Sequence, residues 1–181
     1  MVCVRHSLSR EGSGGAPYGG ARYPVEARMD ARVFARFHLD VGIGDAVMKP
    51  LETVEGRGWL QFAGITTRPF RTIPQEQQVA EKLHAYTLPR RTPSSRAKDL
   101  IDLLLLTQSG KLEQNRIGEA VRVTFERRRT HALPSVIPAP PAGWRKQFRE
   151  LATECRIAED MQEAFAKVEA FFRPIASDWQ K

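Results

Sequence analysis

Apolar residues occupy every second position of one segment early in the chain, and this alternation restricts the fold more than any other feature. The alternating positions are Val33, Ala35, Phe37, Leu39 and Val41. Side chains of a strand point alternately to its two faces, so the pattern predicts a strand with these residues on one face. A looser alternation runs from Tyr23 to Met29, and the intervening Asp30-Ala31-Arg32 predicts a hairpin. A third short strand is predicted from Gly58 to Ile65.

Helical spacing replaces the alternation after Pro74, which suits a first helical turn, with Thr72 as a candidate cap. Three further helices are predicted from about Arg96 to Ser109, from Gln114 to Arg129 and from about Trp144 to Phe172. We expect the last of these to break near Ile157 and to stop before Pro174. The predicted class is α+β, with a small antiparallel sheet followed by helices.

Composition excludes several classes of protein. The chain has 181 residues and a net charge of +7 from 28 Lys and Arg against 21 Asp and Glu, which permits a polyanionic partner. The longest apolar run, Leu100 to Leu106, is broken by Asp102 and is far shorter than the roughly 18–20 residues of a membrane span. Two cysteines, Cys3 and Cys155, are too few for a disulfide framework or a zinc site. We therefore expect a cytoplasmic protein with no membrane partner.

The organisation along the chain follows from the same patterns. Residues 1–21 are rich in Gly and Ser and are predicted to be a flexible leader. Residues 22–72 form a β-rich region, and residues 73–181 form a helical region.

Two aspartates follow the alternating strand closely. Asp40 lies at its end, and Asp45 comes after Gly42 and Gly44. Carboxylates beside glycines suit a hydrated cation such as Mg²⁺, which takes one or two carboxylates and keeps water or phosphate as its other ligands. A strand exit with solvated aspartates is the alternative interpretation.

Two neighbouring helices carry a second set of candidate residues. Lys82 on the first helix is suited to bind a triphosphate as a point charge, or is an ordinary surface lysine. Asp99 and Asp102 on the next helix share one face. They either interact favourably with the helix dipole, or one of them orients Lys82 or a substrate hydroxyl. His84 is interpreted as a packed or surface histidine.

Positive charge is concentrated around these helices. Between Lys82 and Lys98 the chain contains five cations and no acid. They are Lys82, Arg90, Arg91, Arg96 and Lys98. Such groups suit a phosphate-rich track, where each neutralised phosphate releases counterions, although no recognised nucleic-acid-binding module is present.

Three segments, in this order and spacing, carry a family resemblance. They are Phe37–Asp45, Gln78–Thr87 and Ser95–Leu103, and their most specific parts read Ala-Glu-Lys-Leu-His-Ala and Lys-Asp-Leu-x-Asp-Leu. Together with Thr124–His131 and the proline run before Trp144, they resemble the AbiEii/AbiGii-type toxin family of nucleotidyltransferases. The resemblance covers roughly Arg22 to the end of the chain.

This resemblance implies a polymerase-β-like nucleotidyltransferase sheet followed by a helical C-terminal region. It also implies transfer of a nucleotide from an NTP with Mg²⁺, with transfer RNA as a target class and an antitoxin as partner. Such chemistry needs metals held by carboxylates and cations on the phosphates. By resemblance, Asp40 completes the metal site, and Lys82, which contacts the triphosphate, belongs to the catalytic group with Asp99 or Asp102. Asp45 beside the glycines is a second candidate metal ligand, and Arg96 in the cationic segment is a second candidate contact to the triphosphate. Arg90, Arg91 and Lys98 are then the candidate RNA contacts.

One part of the family pattern is missing. The family's site begins with Gly-Ser followed about ten residues later by Asp-x-Asp, and this chain contains no Asp-x-Asp. We therefore expect a truncated member that has little activity by itself. A degenerate protein that binds an antitoxin or RNA without catalysis is one alternative, and a basic nucleic-acid binder unrelated to catalysis is another. An unpaired apolar strand edge in such a chain favours aggregation or pairing with another chain.

Overall fold

The structure is a computed structural model that describes residues 2–4, 18–59, 61–89, 96–110 and 112–176. It divides into an N-terminal unit, residues 1–46, and a C-terminal unit, residues 47–181.

The N-terminal unit is an antiparallel sheet with the strand order β1-β2-β3. Its strands are β1 (Val2–Val4), β2 (Gly20–Met29) and β3 (Arg32–Gly42). Asp30 and Ala31 join β2 to β3 with φ values of 50° and 58°. Left-handed backbone at both central residues is typical of the type I′ turn, whose twist matches that of a hairpin. The predicted hairpin is confirmed.

A bulge interrupts the alternation near the start of β3. The pairing shifts between Ala27 and Arg28, so that Ala27 pairs with Ala35 and Arg28 pairs with Val33. Paired residues share a face and consecutive residues do not. Placing Val33 on the same face as Ala35 was therefore wrong, whereas the alternate residues from Ala35 to Val41 share a face as predicted.

The C-terminal unit contains a two-stranded sheet and five helices among its described residues. The strands are β4 (Glu52–Val54) and β5 (Phe70–Thr72), which are antiparallel. The helices are α1 (Gln75–Thr87), α2 (Ala97–Gln108), α3 (Gln114–Arg128), α4 (Arg145–Glu154) and α5 (Met161–Ala176). This confirms the α+β class with a helical C-terminal region.

The strand predicted from Gly58 to Ile65 was wrong. Its centre, Gln61–Ala63, is a single turn of 3₁₀ helix. Gly64 has a φ of 71°, which is incompatible with a continuous strand. The described large apolar residues of this segment, Trp59, Phe62 and Ile65, are exposed, and Phe62 is 88% exposed. No buried face formed by them selects an extended backbone.

The helix ends were predicted closely, with two differences. Pro74 is the N-cap residue of α1 in place of Thr72, and α5 continues through Pro174 to Ala176. Proline in a helix costs one backbone hydrogen bond, but Phe172 and Ile175 are buried and hold this last turn against the core. The break near Ile157 is confirmed between α4 and α5.

The core of the C-terminal unit lies among the helices. Fully buried side chains include Leu83, Leu100, Leu103, Leu104, Ile117, Val121, Phe148, Val168 and Phe172. Contacts join α1 to α2 and α3, and α2 to α4 and α5. This core fixes α1 and α2 side by side.

Candidate phosphate-binding site

Lys82 lies between two carboxylates of the neighbouring helix. Its Nζ is 2.5 Å from Oδ2 of Asp102 and 3.6 Å from Oδ1 of Asp99. The lysine side chain is 36% exposed, so its ammonium group reaches the surface. The structure therefore brings together three predicted site residues that are contributed by α1 and α2.

Arg96 completes this group of charges. Its Nη1 donates a hydrogen bond to Oδ2 of Asp99 at 2.9 Å, three residues along the chain. Arg96, Lys82, Asp99 and Asp102 are called the Lys82 cluster below. The charges of its two cations and two carboxylates balance, and the carboxylates hold the cationic groups in fixed directions.

The two carboxylates differ in burial. The Asp99 side chain is 5% exposed, whereas that of Asp102 is 24% exposed. Asp99 also lies in the first turn of α2, where unpaired backbone N–H groups favour a negative charge. Asp99 is thus the fixed interior member of the cluster, and Asp102 is the closer partner of Lys82.

The register of α1 explains why Lys82 faces α2. Val79, Leu83 and Tyr86 recur at helical spacing and are buried, so they orient the helix toward the core. Lys82 immediately precedes Leu83 and lies at the border of this apolar face. The positions of charged residues at such a border follow directly from the apolar spacing.

Two contacts from preceding segments anchor the start of α1. Oε1 of Glu52 on β4 accepts a hydrogen bond from the N–H of Gln75 at 3.1 Å, which satisfies a backbone group that the helix leaves unpaired. Oε1 of buried Gln77 accepts a hydrogen bond from the N–H of Met48 at 2.9 Å. The sequence carries no local signal for either pairing, because the partners are more than twenty residues apart.

An ion pair joins α1 to α3. Nη2 of Arg128 lies 3.0 Å from Oε2 of Glu81, with side-chain exposures of 12% and 28%. The arginine lies in the last turn of α3, where a positive charge also interacts favourably with the helix dipole. Arg128 therefore stabilises the face of α1 that adjoins Lys82, a role that its position in an arginine run did not reveal.

His84 is buried beneath this face, in agreement with its interpretation as a packed histidine. Its Nε2 is 2.8 Å from Oγ1 of Thr130, and its ring packs edge-on against Phe125. Burial, together with the charges of Arg128 and His131, lowers the pKa of His84 to about 4. The ring is consequently neutral at physiological pH and acts as a packing element.

The predicted metal ligands lie in the N-terminal unit. Arg22 donates two hydrogen bonds to the Asp40 carboxylate, at 2.6 and 2.9 Å, and they hold the pKa of Asp40 below its usual value. The two residues are directly opposite in the β2–β3 register. The hairpin turn alone would have placed Leu39 opposite Arg22, because the bulge near Ala27 shifts the pairing by one residue. Asp45 lies just beyond β3. No group of three or more potential metal ligands occurs within the described residues.

The predicted RNA contacts are only partly visible. Arg90 and Arg91 lie outside the described residues, and Lys98 is exposed on the first turn of α2. Within the described part of the chain, no helix is long and apolar enough to cross a membrane.

The Lys82 cluster holds an ammonium group at the surface between α1 and α2. A lysine held by carboxylates at the protein surface presents a point charge in a defined direction, here on a helical scaffold that accompanies small antiparallel sheets. These features define an α+β protein with a lysine–carboxylate cluster between two packed helices.

Comparison with known families makes the assignment specific. The model of the family described as nucleotidyl transferase AbiEii toxin, type IV toxin–antitoxin system, matches residues 2–180, and the chain belongs to this family. The resemblance carried by the three sequence segments is confirmed, and the match begins well before Arg22. The family implies nucleotidyltransferase toxin activity in general, with an NTP substrate and an antitoxin partner. Among curated proteins, no sequence matches the chain significantly.

Proposed function

We propose that this protein takes part in transferring a nucleotide from an NTP to an RNA acceptor such as tRNA, with Lys82 as the contact to the triphosphate. The observation that carries the proposal is the Lys82 cluster in a member of a nucleotidyltransferase family. Transfer of this kind depends on cations positioned against the phosphates. A lysine held by two carboxylates loses little further freedom when a phosphate binds.

The carboxylates of the cluster have separate roles in this proposal. Asp102, the nearer partner, directs the ammonium group of Lys82 toward the surface. Asp99 binds Arg96 from the interior and places its guanidinium beside Lys82. The arginine then supplies a second cation for the triphosphate. Both carboxylates are positioning residues, because each acts through a cation.

RNA binding is assigned to the basic residues near the cluster. Arg90, Arg91 and Lys98 supply positive charge before and at the start of α2, and an RNA backbone that they contact would release counterions on binding. We therefore expect the affinity for tRNA to fall steeply with salt. Lys98→Ala should reduce this salt dependence by about one counterion.

Members of the family typically use a divalent metal, and Mg²⁺ is the ion we propose. The described residues do not fit such an ion by themselves, because Asp40 is held by Arg22 and no cluster of metal ligands is present among them. The chain also contains no Asp-x-Asp. We infer that the 181-residue chain binds NTP but has little transferase activity by itself.

The test combines binding and transfer. Purified protein is titrated with a fluorescent ATP analogue, and is separately incubated with Mg²⁺, labelled NTPs and tRNA. Lys82→Ala should weaken nucleotide binding tenfold or more, the order expected for loss of one charge-assisted contact of about 1.4 kcal/mol or more. The matched control is Lys167→Ala, which removes a surface lysine of α5 that pairs with Glu159. Equal binding by wild type and Lys82→Ala would contradict the proposed triphosphate site.

A second candidate function is binding of the antitoxin or RNA without catalysis. The missing Asp-x-Asp and the Arg22–Asp40 pair favour it. It predicts tRNA binding that survives Lys82→Ala and no nucleotide addition under any tested condition. Nucleotide addition by the purified chain that Lys82→Ala abolishes would exclude this alternative.

A further inference from the structure

The outer edge of β3 is the most extensive apolar strand edge in the described residues. β3 has eleven residues and, among the described strands, pairs with β2 alone. Phe37, Leu39 and Val41 on its apolar face are 41–53% exposed. Long apolar edges of this kind are docking sites for a further strand.

Hydrogen bonding beyond the end of β3 shows which residues direct their backbone N–H and C=O groups away from β2. The N–H of Ile43 donates to the carbonyl of Gly19 at 3.0 Å, and its carbonyl accepts from the N–H of Tyr18 at 3.0 Å. Backbone direction alternates along an antiparallel strand, and the pairing is regular from Gly42 back to Ala35. The odd-numbered residues therefore bind β2. The even-numbered residues Arg36, His38, Asp40 and Gly42 present their N–H and C=O groups to the outer edge.

The charged side chains of these even-numbered residues favour one pairing strand, a second copy of β3. On the polar face of β3, Arg36 and Asp40 lie symmetrically about His38. An antiparallel copy of the same strand, centred on His38, places each Arg36 directly opposite an Asp40 of the other copy. Directly opposed residues of opposite charge stabilise strand pairing, and like charges oppose it. Centring on Arg36 instead would oppose two arginines.

The same register matches the apolar face. It places Phe37 beside Leu39 of the other copy and Ala35 beside Val41, so that apolar pairs flank the two-fold axis on both sides. On the polar face, Arg22 already binds Asp40 and Glu26 binds Arg36 at 2.9 Å. The intermolecular pairs therefore extend existing pairs into two networks, and such networks contribute more than isolated surface pairs.

From these relationships we infer that β3 is a homodimerisation strand, which pairs antiparallel with β3 of a second copy about a two-fold axis at His38. The contact is isologous and closed. It joins two three-stranded sheets into one and leaves no free β3 edge for further growth. The inference is independent of the proposed nucleotide transfer, because it involves neither α1 nor α2.

Two charge-reversal variants test the inference on the full-length chain. In a homodimer of Arg36→Glu, the introduced carboxylate would face Asp40 of the other copy at both opposed positions. In a homodimer of Asp40→Lys, the introduced ammonium group would likewise face Arg36 twice. Each variant alone should dissociate at least tenfold more readily than wild type. In an equimolar mixture, every opposed pair of a heterodimer is attractive, so dimers should reappear. Sedimentation velocity, with one variant fluorescently labelled, measures the oligomeric state of each variant alone and of the mixture.

The mixture also serves as the folding control, because variants that fail to fold cannot regain a dimer on mixing. A monomeric wild type at all accessible concentrations would overturn the inference. Variants that remain dimeric alone would place the contact elsewhere. Variants that stay monomeric when mixed, although each retains the wild-type circular dichroism spectrum, would overturn the register.

Discussion

Asp99 and Asp102 lie one helical turn apart on α2 and both face Lys82, but only Asp99 is withdrawn from solvent, with 5% of its side chain exposed against 24% for Asp102. Asp99 also accepts a hydrogen bond from Arg96. A carboxylate removed from water must keep its partners, because an uncompensated charge in the interior is costly. The two aspartates therefore have different roles. Asp99 stabilises the structure, and Asp102 contacts Lys82 nearer the surface.

The first prediction compares these residues by truncation. Asp99→Ala should lower the free energy of unfolding by about 1–2 kcal/mol, because it removes the hydrogen bond to Arg96 and the negative charge in the first turn of α2. Asp102→Ala should cost about 1 kcal/mol or less, as is usual for partly exposed ion pairs. Urea denaturation followed by circular dichroism measures both. Equal losses would contradict the assignment of separate roles.

The second prediction concerns the ion pair between α1 and α3. Arg128→Met should destabilise the protein by about 1–2 kcal/mol, because Glu81 would remain half-buried without its cation. The matched control is Arg122→Met on the same helix, whose pair with Glu126 has side-chain exposures of 60% and 62%. That substitution should stay within about 0.5 kcal/mol of wild type. A larger effect at Arg122 would show that burial does not govern these pairs.

Local patterns were sufficient to predict the helices and the hairpin. The apolar spacing of Val79, Leu83 and Tyr86 fixes one face of α1, and the Asp30-Ala31 pair between two alternating runs fixes the turn. Gly58 to Ile65 was mispredicted because its residues have strand-like composition but no buried face in the structure. Strand formation depends on a partner surface, which composition does not encode.

The residues of the candidate site could be predicted from the sequence, but the ion pairs between them could not. Family resemblance selected Lys82, Asp99 and Asp102, and the structure separates the two aspartates by burial, which depends on how α1 packs against α2. The Glu81–Arg128 pair joins residues that are 47 positions apart. Such tertiary contacts have no signature in a single sequence, since each charge alone is explained by its helix position.

The third prediction concerns pH. The pKa of His84 is lowered to about 4 from its ordinary value of 6.5, so the unfolded chain binds a proton that the folded chain rejects between these values. Stability should therefore fall as the pH drops from 6.5 to 4, by up to about 3 kcal/mol from this residue. His84→Gln should remove this part of the decline.

The measurement is the difference between the wild-type and His84→Gln stability curves, obtained by urea denaturation across this pH range. His131→Gln is the comparison, because burial lowers the pKa of His131 also and a share of the decline belongs to it. A constant difference between wild type and His84→Gln over the whole range would mean that His84 titrates normally in the folded state.

The last prediction concerns the hairpin turn. Ala31 has a φ of 58°, a left-handed conformation that costs an alanine roughly 1 kcal/mol and a glycine almost nothing. Ala31→Gly should therefore stabilise the N-terminal unit, even though glycine usually weakens a structure. Ala35→Gly is the matched control, because Ala35 lies within β3, where the same substitution should cost about 0.5–1 kcal/mol. Hydrogen exchange of the β2 and β3 amides reports on this unit separately from the helices. Slower exchange in Ala31→Gly and faster exchange in Ala35→Gly are expected, and faster exchange in both would show that the turn does not adopt the left-handed geometry.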